Sequence, residues 1–111
     1  MYGTTMIATI RGTRAEVEDA FSSWFTERVP GVPGFVDAGI QFDDDGRTLV
    51  NWARFLDKES YLALADDPAQ DAWYQQRIAP LLEGEPRWID GEWMAAPSDT
   101  IRLGTPSAVT S

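Results

Sequence analysis

A chain of 111 residues is one domain's length, enough to bury roughly two thirds of its unfolded surface in a single core. Nine basic residues against eighteen acidic ones leave a net charge of -9, which repels phosphate backbones and anionic lipid, so neither nucleic acid nor a membrane surface is an expected partner. The absence of cysteine and histidine excludes disulfides, a thiolate nucleophile, a Ser-His-Asp triad, a typical zinc site and a proximal histidine for haem.

Any catalysis must therefore run on carboxylates, Tyr, Arg, Asn or a bound ligand's own chemistry. No apolar run approaches the roughly 18 residues of a membrane span, and no basic segment precedes an apolar one. The expectation is a cytoplasmic chain with neither span nor secretory signal.

Residues 4–11 (TTMIATIR) alternate and are rich in β-branched types, predicting a first strand. Thr13 with Glu16 three places on makes a capping box. Behind it Val17, Ala20, Phe21, Trp24 and Phe25 recur at the helical period, so a helix with one aromatic face runs to about Arg28. Pro30-Gly31-Val32-Pro33-Gly34 stops it. Residues 35–42 (FVDAGIQF) predict a second strand, with a bulge or a close ligand approach at Gly39. Asp43-Asp44-Asp45-Gly46 turns the chain into a third strand over 47–56. That run lacks the alternating ligands and the closing Glu of a calcium loop.

Asp57 caps the next helix, with Leu56 and Tyr61 placed as a hydrophobic staple across the cap. Asp67-Pro68, with Gln70 as the cap's partner at the third helical position, restarts the chain as another helix, which Pro80 must bend or end. Gly84 and Pro86 close that element, and residues 87–95 (RWIDGEWMA) predict the last strand. From Pro97 the text is polar and turn-rich, so the domain is drawn over 1–96, with 97–111 a tail or a dimer arm.

The order β-α-β-β-α-β predicts an α+β, ferredoxin-like sandwich: an antiparallel four-stranded sheet with its helices on one face. The strands carry large apolar residues at both parities, Val50 and Trp52 alternating with Leu49, Ala53 and Phe55. A sheet apolar on both faces needs a second cover, and a second copy of the chain is the simplest one. A homodimer with the sheets facing each other is expected.

With that order in place, the chain resembles the antibiotic-biosynthesis-monooxygenase branch of the dimeric α+β barrel superfamily. The resemblance spans about 4–95. It rests on the Phe-Leu-Asp-Lys-Glu-Ser helix start at 55–60, the break at Asp67-Pro68, and the Pro-Leu-Leu-Glu-Gly-Glu-Pro run at 80–86. It implies a cofactor-independent enzyme that uses dioxygen to turn polycyclic phenols into quinones, or a relative without that activity. The haem-degrading branch needs a helix His and is excluded here. Quinone-forming members carry an Asn on strand three, a Trp four residues later, and a Tyr just inside the next helix. Asn51, Phe55 and Tyr61 occupy those places, with Phe replacing Trp. Arg77 stands nearest to a helix Arg of those enzymes, and Gln41 or a neighbour stands where they have a strand-two His.

The resemblance thus makes Asn51, Tyr61 and Arg77 the candidate catalytic residues. Asn51 and Phe55 share strand parity. An amide there suits a developing oxyanion, and equally suits a neighbouring backbone group. Tyr61 orients or deprotonates a phenol, or is simply the staple; Arg77 is an anion partner or an exposed helix cation. Trp24, Phe55, Trp73 and Trp88 are the candidate walls of a pocket for a small aromatic molecule, though large rings also fill small cores. Arg54, of opposite parity to Asn51, is assigned to the sheet surface or dimer interface. The alternative function is a non-catalytic dimeric barrel that binds a hydrophobic small molecule.

Overall fold

The computed structural model describes residues 1–94, and the tail expected over 97–111 lies outside them. Its strands are β1 (Tyr2–Ile10), β2 (Phe35–Phe42), β3 (Thr48–Phe55) and β4 (Leu82–Glu92). The helices are α1 (Arg14–Ser23), α2 (Lys58–Ala65) and α3 (Pro68–Arg77). The sheet is antiparallel throughout, in the order β2-β3-β1-β4. Each β-α-β half contributes two strands separated by one strand of the other half, which is the ferredoxin-like arrangement.

Local chemistry sets the boundaries. The Thr13 hydroxyl accepts from the Glu16 amide at 3.1 Å, and the Glu16 carboxylate accepts from the Thr13 amide at 2.9 Å, closing the capping box. The helix continues beyond α1 as a π-helical turn, Trp24–Arg28, reaching the residue predicted as its end. In the hairpin, the Asp45 carboxylate accepts from the amides of Arg47 (2.7 Å) and Thr48 (3.0 Å). Those bonds hold its carboxyl below the ordinary carboxylate range. Asp57 caps α2 through the Ser60 amide at 2.8 Å, and Asp67 caps α3 through the Ala69 amide at 2.9 Å.

Four expectations are corrected. β4 starts at Leu82, five residues before the predicted position, because β1 is long enough to pair Thr9 with Glu83 and Ile10 with Leu82. Gly84, at φ +73°, and Pro86 sit in the irregular register between the Ile7 and Thr9 pairs, where a bulge tolerates both residues. In β2 the register shift falls between Phe35 and Asp37 rather than at Gly39. Gly39 is instead covered by the Trp52 ring, which a Cβ would meet at 2.7 Å. The Leu56–Tyr61 staple does not form: Leu56 is 66% exposed, while the Tyr61 ring lies against Tyr2 at 5.4 Å and Phe55 at 5.6 Å. Gln70 closes no capping box; its side-chain oxygen accepts from Trp24.

Alternate residues of β1, namely Met6, Ala8 and Ile10, bury against Val17, Ala20 and Phe21 of α1, with Leu49, Ile78 and Leu82 completing that core. A second cluster forms around Trp24, Ala53 and Phe55, with Phe35, Tyr61, Leu64 and Trp73 packed on it. No described helix lies over the opposite sheet face. By strand parity it carries Val50, Trp52, Arg54, Ile89 and Trp93, and the Arg54 guanidinium donates to both Asp37 carboxylate oxygens. The same guanidinium stands 5.4 Å from the Trp52 ring and 5.3 Å from Trp93.

Candidate active site between the helices and the sheet

The pleat sends alternate residues to the helical side. Register pairs Thr4 with Ala53 and Asp90, and Met6 with Asn51 and Trp88, so these side chains share one face. Together with residues of both apolar clusters they line a cavity of about 420 Å³. That size is ordinary for a small-molecule site.

Six of the seven sequence-derived candidates meet there: Asn51, Tyr61, Trp24, Phe55, Trp73 and Trp88. Asn51 is half-buried and donates through Nδ2 to the Gly39 carbonyl at 3.1 Å. That single bond fixes the amide and leaves it a second N–H, since a primary amide has two. Phe55 is buried in the wall, and Trp88 stands at the rim, 48% exposed and 5.9 Å from the Tyr74 ring.

Trp24 and Trp73 pack at 6.3 Å as adjoining panels of the wall. They differ in their polar atom. Trp24 donates Nε1 to Gln70 at 3.2 Å, whereas the buried Nε1 of Trp73 finds no acceptor among the described residues.

Arg77 is not brought to the cavity. It faces Asp19 of α1 at 3.8 Å, a partly exposed ion pair, and is removed from the candidate site.

Tyr61 donates its hydroxyl to Asp90 at 3.1 Å, and the Thr4 hydroxyl donates to the other oxygen of the same carboxylate. Burial, reinforced by the Asp90 charge, pushes the Tyr61 phenol up to about 12. At neutral pH it is a fixed donor and not a base. Tyr74 is likewise held above its ordinary value, by burial first and then by Glu85.

Sequence reasoning missed Thr4, Asp90, Gln70, Asp71 and Glu85. Asp90 lies 29 residues from Tyr61, and only the sheet register joins them. A signal did exist: in RWIDGEW, Asp90 has the parity of Trp88, which had been assigned to the wall. Among the described residues no group of three or more Asp or Glu side chains is gathered to hold a metal ion. No described helix is long and apolar enough to cross a membrane.

No family model and no curated protein matches the chain. Solved structures do. SnoaB, a cofactor-independent oxygenase from Streptomyces nogalater, is 19% identical with a TM-score of 0.67, covering 94% of this chain and 97% of that one. The ActVA-Orf6 monooxygenase of Streptomyces coelicolor, solved with nanaomycin D, is 21% identical with a TM-score of 0.69, covering 86% and 89%. A further antibiotic biosynthesis monooxygenase is 9% identical with a TM-score of 0.62, covering 87% and 100%. At such identities a likeness establishes architecture. The chain has the fold of the antibiotic biosynthesis monooxygenases, a ferredoxin-like α+β sandwich with an aromatic-walled cavity beneath its helices.

Proposed function

We propose that this protein is a cofactor-independent monooxygenase for a flat phenolic, polyketide-like aromatic, working as a homodimer. The observation that carries the reading is Asn51: an anchored amide with a spare N–H, on the wall of a cavity lined by Trp24, Phe55 and Trp73. A phenol ionised there would place its oxygen against that donor, which stabilises the charge that builds as the ring becomes reactive toward oxygen. Dioxygen then takes its electrons from the substrate. One oxygen atom remains as the new quinone carbonyl and the other leaves as water. Tyr61, neutral and held by Asp90, orients the ring without taking its proton. The oxygenase SnoaB and the nanaomycin-bound monooxygenase share the fold, which supports the reaction class.

The test is oxygen uptake by purified protein, without added metal, flavin or nicotinamide, on dihydroxynaphthalenes and anthrones. Uptake with quinone formation is expected, and Asn51→Ala should lower turnover by about 10²–10³. An unchanged rate in folded Asn51→Ala would end the assignment of that residue.

A second reading, a barrel that binds such aromatics without oxidising them, is favoured by one observation: Phe55 occupies the place where quinone-forming members have Trp. Tryptophan quenching by the same compounds without oxygen uptake would select it.

A further inference from the structure

The ionisable side chains around the cavity have one sign. Asp71 projects from α3, and Glu85 and Asp90 come from β4, while no Lys or Arg among the described residues lines the space. Of the described cations, Arg77 and Arg28 are engaged elsewhere, and Lys58 and Arg87 lie outside the lining. Arg77 turns to Asp19, and Arg28 donates to Gln70 at 3.3 Å and pairs with Asp67 at 3.2 Å. Lys58 stands 5.8 Å from the outer ring of the Tyr2–Tyr61 pair. Arg87 alternates with Trp88 and falls on the opposite face of the sheet.

Tyr61 and Thr4 occupy one lone pair on each Asp90 oxygen, and a carboxylate accepts more bonds than two. Below this acidic rim the walls are aromatic: Trp24, Phe55 and Trp73.

Resting on the aromatic-binding reading above, we infer that the cavity selects aromatics whose polar end is a protonated amine or a neutral hydroxyl and rejects their carboxylated counterparts. A cation or hydroxyl donor at the rim meets a carboxylate, that of Asp71, Glu85 or Asp90 according to where it sits. A carboxylate there meets like charge on whichever side it approaches, with no cation among the described lining residues to compensate. Because the rim is exposed, the discrimination is electrostatic and salt-sensitive.

Three matched probes test this by calorimetry on the full chain: naphthylmethylamine, naphthylmethanol and naphthoate. The amine is expected to bind about tenfold or more tighter than naphthoate, with the alcohol between them. The gap should shrink in about 1 M salt, where the screening length is about 3 Å. It should also close in Asp71→Asn/Glu85→Gln/Asp90→Asn, and Glu85→Gln alone, which leaves the Tyr61 bond intact, should narrow it in the same direction. Naphthoate binding as tightly as the amine would overturn the charge selection and leave aromatic binding standing. No heat from any probe would overturn both.

Discussion

Two residues of the cavity wall carry opposite hydrogen-bond states on the same ring type. Trp24 donates to Gln70, and the buried Trp73 donor has no acceptor among the described residues. Replacing either by Phe removes similar ring area, so the difference isolates the polar atom. Trp24→Phe loses a bond of about 1 kcal/mol, while Trp73→Phe relieves a buried donor, so urea unfolding should find Trp24→Phe the less stable by about 1 kcal/mol or more. Tyr61 makes a pH prediction. Its folded value lies near 12 against an ordinary 10.0, so its stabilising contribution is complete below pH 10 and is lost as pH rises toward 12. Unfolding followed across that window should show a decline that is flatter in Tyr61→Phe. An equally steep decline in the variant would assign the loss to other groups.

The elements were most legible where their signals are local. The Thr13–Glu16 box, the Asp43–Gly46 turn and the Asp67-Pro68 restart each involve neighbours in sequence, and each forms as the text predicts. β4 was misread because Gly84 and Pro86 are local breakers; pairing with the full length of β1 overrides them, and a bulge absorbs both. Parity alone put Asn51 and Phe55 on one face. It could not reveal that Arg77 turns toward Asp19 or that Tyr61 meets Asp90, because those depend on helix rotation and strand register. Asp67 joins two elements, capping α3 and pairing with Arg28 near the end of the π-helical turn. Asp67→Ala should therefore cost more than the roughly 1 kcal/mol of an isolated cap, and Arg28→Ala should lose the ion pair and its bond to Gln70 while leaving the cap in place. Chemical denaturation of both variants separates the two contributions.

At the scale of the molecule, the sheet is apolar on the side that no described helix covers. Ile89 is 49% exposed there, beside the Trp52–Arg54–Trp93 stack. The proposed homodimer would bury this face. Sedimentation should show a dimer, and Ile89→Glu should shift it toward monomer by introducing a charge that the interface must desolvate. An unshifted dimer in Ile89→Glu would place the contact on another surface. Arg54 and Asp37 already satisfy one another, so Arg54 can enter such an interface without an unpaired charge.

The five tryptophans divide by sheet face, and this makes the protein its own optical probe. Trp24, Trp73 and Trp88 ring the cavity, so an aromatic ligand should quench them first. Trp52 and Trp93 lie on the other side with ring centroids 5.8 Å apart and planes inclined at 53°. Two indoles so close and so inclined couple their transitions, giving a paired circular-dichroism band sensitive to whatever packs over them. Filling the cavity and covering the sheet would then be read as separate signals in one unlabelled sample, emission intensity for the first and dichroism for the second.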